Sequence, residues 1–266
     1  TYGGSENDRL TSVVEKSNGN LAVVGWSMSF ENGASELWLM ELDHAGNMLS
    51  EFRYGGLDLE YGRDLYSIPI GGYLLLGESR SYGSGGFDIW LVKVNEDGEE
   101  EWNKTLAGTG GQDYARKLLV DNDGGGYFIL GKEGNNSSSP VCLIKVDLEG
   151  NELWRNNYGY TYSDDAVDMV YLGETSDEIL IIGTTFKNGN GDIWLLKVNL
   201  ESNGAIEFEN IFDDGLMDEH GYSINVVSED GGFILVGETS SFGSGDKDIL
   251  LIKTDPYGNT VGYEGN

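Results

Sequence analysis

Five carboxylates recur at one place in the chain: Asp8, Glu60, Asp113, Asp164 and Glu219 each stand at or just ahead of the first strand of a repeated unit. Acids ringing a channel mouth attract a hard cation such as Ca2+, or a cationic ligand, because carboxylate oxygens are the donors such ions take. The same residue types also cap turns and accept bonds from loop backbone. The second use is preferred, because a position repeated five times belongs to the architecture and an active site is normally asymmetric. A second acidic position opens a later strand as Glu36, Asp88, Asp192 and Asp248, with Pro140 standing in its place once.

Other residues add to the candidates. His220 follows Asp218 and Glu219, where it can face a channel, and Trp26 has no counterpart elsewhere in the chain. With Phe30, Trp26 can stack on a sugar ring, although packing is the preferred role. The candidate ligand residues at the channel mouth are thus Asp8, Glu60, Asp113, Asp164, Glu219, His220 and Trp26, and the five acids are the candidate metal ligands. Nucleophilic chemistry has little to work with. His44 and His220 are the only histidines, and Cys142 is the single cysteine, set in an apolar stretch that suits an inert buried thiol. That is too few for a conventional zinc site, and no Gly-x-Ser-x-Gly elbow is present. The Asp121 to Gly124 loop lacks the Glu that closes a calcium loop and reads as a turn. Glycoside hydrolysis needs only two acids, so Glu60, Asp113 and Glu219 remain catalytic candidates.

The elements that must position these groups repeat. Five segments end on the same glycine, at Gly25, Gly77, Gly131, Gly183 and Gly237, spaced by 52, 54, 52 and 54 residues. A second landmark, ending at Asp43, Asn95, Asp147, Asn199 and Asp255, keeps the same phase. Each unit reads as four strands; in the first copy they run from Leu10 to Lys16, Leu21 to Ser27, Glu36 to Asp43 and near Met48 to Tyr54. The second and third are nearly continuous in apolar residues, as strands covered on both faces are. Glycines at the Asp/Asn-x-x-Gly turns supply the positive φ of a hairpin. No segment has a sustained helical period.

A run of four-stranded sheets, each buried by its neighbours, predicts an all-β chain: a five-bladed β-propeller with four antiparallel strands per blade and about 52 residues per repeat. The repeats fall near 3–55, 56–107, 108–159, 160–214 and 215–266 of one domain. Tyr2-Gly3-Gly4 matches Tyr54-Gly55-Gly56, and Gly258 to Asn266 matches Gly98 to Leu106, so the chain holds a whole number of repeats. A closed ring is the expectation, and five units of a longer array fit the same phase.

The 46 Asp and Glu against 16 Lys and Arg give a formal charge of −30, which disfavours nucleic acid and anionic membrane surfaces. No apolar run nears the about 18 residues of a spanning helix, so no membrane insertion is expected. Forty-one Gly beside 3 Pro mean many tight turns.

The pattern Asp-Gly-Gly-Phe/Tyr-Ile-Leu-x-Gly, followed by Asp-x-Trp-Leu-x-Lys-x-Asp-x-x-Gly, stands most fully at Asp230 to Asp248 and Gly71 to Gly98. It resembles the tandem propeller repeats of secreted and cell-surface bacterial and archaeal proteins. The resemblance covers all five copies, but the third has Asn135 to Pro140 in place of the Gly/Ser loop and the fourth has Ser176 to Glu178 in place of the turn. It implies an extracellular or cell-surface module and brings no defined activity. The expected role is a non-catalytic binding or structural module that presents loop faces to a protein, a glycan or an assembly partner, including an oligomer or filament. The competing expectations are a carbohydrate-active enzyme using mouth carboxylates and a multivalent glycan-binding lectin. Ca2+ is the one cofactor the residues suggest.

Overall fold

Apolar runs of six to eight residues, each ended by a Gly-containing turn, fold back on one another as antiparallel strands. The computed structural model describes residues 1–266 apart from 31–32, 107–110, 135–139, 214–216 and 261–266. Among the described residues there are 19 strands in five antiparallel sheets and no helix, hence none able to cross a membrane. The first sheet holds β1 (Asp8–Glu15), β2 (Leu21–Ser27), β3 (Glu36–Leu42) and β4 (Met48–Tyr54). The second holds β5 (Glu60–Ser67), β6 (Tyr73–Ser79), β7 (Asp88–Val94) and β8 (Glu100–Leu106). The third holds β9 (Tyr114–Val120), β10 (Tyr127–Lys132), β11 (Val141–Val146) and β12 (Glu152–Tyr158). The fourth holds β13 (Asp165–Tyr171), β14 (Glu178–Thr185), β15 (Asp192–Asn199) and β16 (Ala205–Phe212). The fifth has three described strands, β17 (Glu219–Val226), β18 (Phe233–Thr239) and β19 (Asp248–Lys253). Of its expected fourth strand, a single bridge from Thr254 to Thr260 is described, and residues 261–266 lie outside the described residues.

Strands follow chain order within every sheet, and the first strands β1, β5, β9, β13 and β17 pack side by side in succession. The arrangement is propeller-like. Apolar cores lie between consecutive sheets: Val24, Leu37 and Leu39 of the first meet Leu75, Trp90 and Val92 of the second, and the pattern continues to the fourth and fifth. Trp38, Trp90 and Trp194 share one phase and are buried, with the buried Cys142 in the same place in the third sheet. Burial pushes the Cys142 thiol far up, which leaves it unreactive.

Two small details fix the spacing between sheets. On each first strand, the residue opposite the repeated glycine is Gly62, Ala115, Ala166 or Gly221 in sheets two to five. A Cβ on Gly62 would lie 2.3 Å from the Gly25 carbonyl oxygen of the preceding sheet, and one on Gly221 would lie 2.7 Å from that of Gly183. Only Gly or Ala lets the strand come so close. Farther out, an aromatic ring of each fourth strand lies over the positive-φ turn glycine of the next sheet. These pairs are Phe52 over Gly98, Trp102 over Gly150, Trp154 over Gly204 and Phe208 over Gly258.

Four recurring lysines are answered by carboxylates. Lys93 meets Glu101 at 2.9 Å, Lys145 meets Asp121 at 2.8 Å, Lys197 meets Glu178 at 2.8 Å and Lys253 meets Asp230 at 2.8 Å. In the first sheet the signs are exchanged, Glu41 taking Lys16 at 2.6 Å.

Among the described residues, β17 and β1 do not pack on each other as the successive first strands do. Leu10 holds the place on β1 that Gly62, Ala115, Ala166 and Gly221 hold on the later first strands.

Candidate functional site

Three of the five recurring acids, Asp8, Glu60 and Asp164, clasp the segment entering a sheet to the end of its second strand, and Asp113 and Glu219 make the second of these two ties. Asp8 accepts from the Gly4 N–H at 2.7 Å, the Ser29 hydroxyl at 2.9 Å and the Ser27 hydroxyl. Glu60 accepts from the Gly56 N–H at 3.0 Å, the Ser79 hydroxyl at 2.9 Å and the Ser81 N–H at 3.2 Å. Asp113 accepts from the Gly134 N–H at 2.9 Å. Asp164 takes the Thr161 hydroxyl at 2.7 Å, the Phe186 N–H at 2.8 Å, the Thr161 N–H at 2.9 Å, the Thr185 hydroxyl at 3.1 Å and the Tyr160 N–H. Glu219 takes the Thr239 hydroxyl at 2.7 Å, and the counterpart of the segment that serves its other oxygen elsewhere falls at 214–216, outside the described residues.

The common plan ties the segment entering a sheet to the end of that sheet's second strand, where Ser27, Ser79, Thr185 and Thr239 stand in register. The backbone of the same acid reaches back to the preceding sheet, with Glu60 N–H donating to the Ser35 carbonyl at 2.9 Å and Glu219 N–H to that of Gly191 at 2.6 Å. Burial raises the Asp164 pKa, but the N–H groups of Phe186, Tyr160 and Thr161 and the Thr161 hydroxyl outweigh it and hold the carboxyl below its ordinary range. Asp8 is lowered in the same way, its bonds from Ser27, Gly4 and Ser29 outweighing burial. Among the described residues no group of three or more His, Cys, Asp and Glu is placed to hold a metal ion.

The second acidic position does a related job. Asp88 accepts from the Ser84 N–H at 2.8 Å, beneath Gly83 with its φ of 97°. Burial raises the Asp88 pKa, and the neighbouring charge of Asp113 adds to that.

Residues that do not repeat gather at the first strands of sheets one to four. Every first strand carries an unpaired bulge residue one place past its Gly, Ala or Leu, and a bulge re-aims its side chain. In sheets two and three that residue is arginine. Arg63 grips Glu78 with two bonds, Nε at 3.0 Å and Nη2 at 2.7 Å. Glu78, which is buried, also accepts the Ala115 N–H at 3.0 Å and lies 3.9 Å from Arg116. Arg116 grips Asp165 of the next sheet at 3.2 and 2.9 Å. Burial would lower its pKa, and the Asp165 and Glu78 carboxylates overcome this and raise it. Lys132 continues the line, 5.6 Å from the Tyr162 ring centre, its pKa lowered by burial.

Aromatic rings extend the strip in the other direction. Trp26 meets Tyr61 edge-on at 5.1 Å, and Tyr61 lies 5.3 Å from Phe87. Arg63 stands 5.5 Å from the Tyr61 ring and Arg80 5.5 Å from that of Phe87. All three rings are half-buried, so each keeps a surface for solvent or ligand. The strip thus offers flat apolar faces beside fixed guanidinium groups, in a chain whose net charge is −30. Such a surface can stack a sugar ring or other flat group and bond its carboxylates or hydroxyls.

Trp26 is the one sequence candidate that belongs to this strip. Phe30, expected beside it, packs instead on Trp38 at 5.7 Å, with the Arg53 guanidinium 3.6 Å from its ring centre. His220 is half-buried in the fifth sheet, with its ring 6.3 Å from that of Phe186. It holds the same first-strand position that Tyr61, Tyr114 and Asp165 hold in the sheets before it.

No family model and no curated protein matches the chain. Solved structures do. A variant of the Synechocystis apocarotenoid oxygenase is similar with a TM-score of 0.56 at 13% identity, over 95% of this chain and 60% of that one. The endo-arabinase from Bacteroides thetaiotaomicron is similar with a TM-score of 0.51 at 10% identity, over 94% and 95% of the two chains. The Pyrococcus horikoshii acylaminoacyl peptidase gives 0.50 at 11% identity, over 96% of this chain and 39% of that one. These likenesses speak for the propeller-like fold alone. The chain spans 60% of the length of the oxygenase.

Proposed function

We propose that the five sheets are the blades of a β-propeller and that the protein is a non-catalytic binding module at the cell surface or outside the cell. Its ligand surface is the strip from Trp26 to Tyr162, and the ligand class that fits best is a glycan bearing carboxylates. The observation that supports this is the half-exposed file of Trp26, Tyr61 and Phe87 beside Arg63 and Arg80. The recurring acids serve the loops that frame it, which argues against a role as metal ligands. The resemblance to secreted repeat proteins and the high negative charge agree with an exterior setting.

A screen of acidic and neutral glycans against the intact protein tests this. Binding of a uronate-bearing glycan is expected, with Trp26→Ala lowering its affinity at least about fivefold, since an aromatic stack is worth about 1 kcal/mol or more. Equal binding by Trp26→Ala, or no binding to any glycan, would overturn it.

The second reading, a carbohydrate-active enzyme with Glu60, Asp113 and Glu219 as its acids, draws on the fold-level likeness to the arabinase. It predicts release of reducing ends from the bound glycan in the same assay. The clasp geometry weighs against it, because each of these acids is bonded within its own sheet, to Ser79, Gly134 and Thr239.

A further inference from the structure

The fifth sheet is finished on one side only. Toward the fourth sheet, Phe233 and Leu235 are buried. The opposite side carries Ile234, Val236, Ile249 and Leu251. Ile249 is 87% exposed, whereas Leu37, Ile89, Val141 and Ile193, its counterparts in the four earlier sheets, are 0% exposed. Leu251 is 63% exposed, and Leu39, Leu91, Leu143 and Leu195 are likewise 0%. Val236 is 39% exposed where Val24, Leu76, Leu130 and Ile182 are 0%. In every earlier copy the cover is the next repeat's sheet, so the chain itself shows what chemistry this face accepts. A continuous apolar face of roughly a few hundred Å2 marks an interaction site.

The first sheet is a poor candidate for that cover. Its free side already has Tyr2 and Phe30 packed over Val23, Trp38, Met40 and Leu42. Its first strand carries Leu10 where close approach demands Gly or Ala, and Leu10 is 40% exposed. In the packing that joins the other sheets, the Leu10 side chain would run into the Gly237 carbonyl. This obstacle holds within one chain and between two copies alike. The two outer faces therefore differ: among the described residues that of the first sheet is covered and that of the fifth is open.

We propose that the open face of the fifth sheet docks a sixth repeat sheet carried by a repeat-bearing partner, one with Gly or Ala at the first-strand position opposite Gly237. The inference is independent of the glycan strip, which lies on sheets one to four.

Thiol labelling of Ile249→Cys in the full chain tests it, since the buried Cys142 gives no background. The rate is measured at low and at much higher protein concentration. It is measured again with a copy of residues 56–107, or alternatively 160–213, appended after residue 266, so that one appended repeat failing to fold does not decide the result. Fast labelling is expected for the five-repeat chain at both concentrations. An appended repeat should slow it about tenfold or more, and placing Leu at the appended copy's equivalent of Gly62 should restore it. Slow labelling of the five-repeat chain at low concentration would mean that the ring closes on itself, and slowing only at high concentration that a second copy is the occupant. Either would overturn the proposal, as would fast labelling with both appended repeats.

Discussion

Gly62→Leu is expected to destabilise the protein by about 3 kcal/mol or more, because the added side chain meets backbone that has no room to move. The Gly25 carbonyl oxygen would lie 2.3 Å from the new Cβ, and the Val24 side chain 2.9 Å. Relief requires the first two sheets to part, which uncovers Leu37, Leu39, Leu75 and Trp90 together. The reverse change at the equivalent place in the first sheet, Leu10→Gly, should cost no more than about 1 kcal/mol, since no sheet lies against it and the loss is that of a glycine in a strand. Urea melts of the two variants check the contrast. Similar losses at the two sites would show that the packing rule between sheets is wrong.

Asp164→Asn should be the most damaging change among the clasp acids, at about 3 kcal/mol near pH 7. Its two oxygens accept from Tyr160, Thr161, Thr185 and Phe186, and an amide would turn one acceptor into a donor facing donors. The pH dependence follows from the lowered pKa. The native carboxyl binds its proton less readily than the unfolded one, so its stabilisation is fully present above the ordinary Asp pKa of about 4. It is lost as pH falls through the native value. The gap between wild type and Asp164→Asn should therefore narrow on acidification below about pH 4. A gap that stays constant through that range would mean that the carboxylate charge contributes nothing.

The strands were legible because the repeat is strong. Leu21 to Ser27 and Met48 to Tyr54 stand where the sequence puts them, and the turn glycines carry the positive φ expected of them. Phase finds what the copies share, and so it found the five acids. The strip is made of what they do not share. The bulge position reads Thr11, Arg63, Arg116, Val167 and Tyr222, and the second-strand position one past the repeated glycine reads Trp26, Glu78, Lys132, Thr184 and Glu238. No consensus survives there, and of these residues the unmatched Trp26 alone stands out in the sequence. The packing between sheets is a different matter. The phase of two chain ends says nothing about a side chain between sheets, yet Leu10 set against Gly62, Ala115, Ala166 and Gly221 carried the signal.

The central division, with repeated acids holding loops and unrepeated residues offering the ligand surface, is tested most directly by a thermal melt after chelation, with and without Ca2+. An oxygen already accepting N–H and O–H bonds has little capacity left for a cation. The midpoint should therefore move no more with Ca2+ than with Mg2+ or added NaCl of matched ionic strength. A rise of several degrees specific to Ca2+ would mean that the native state binds it, and would return the five acids to the role of metal ligands.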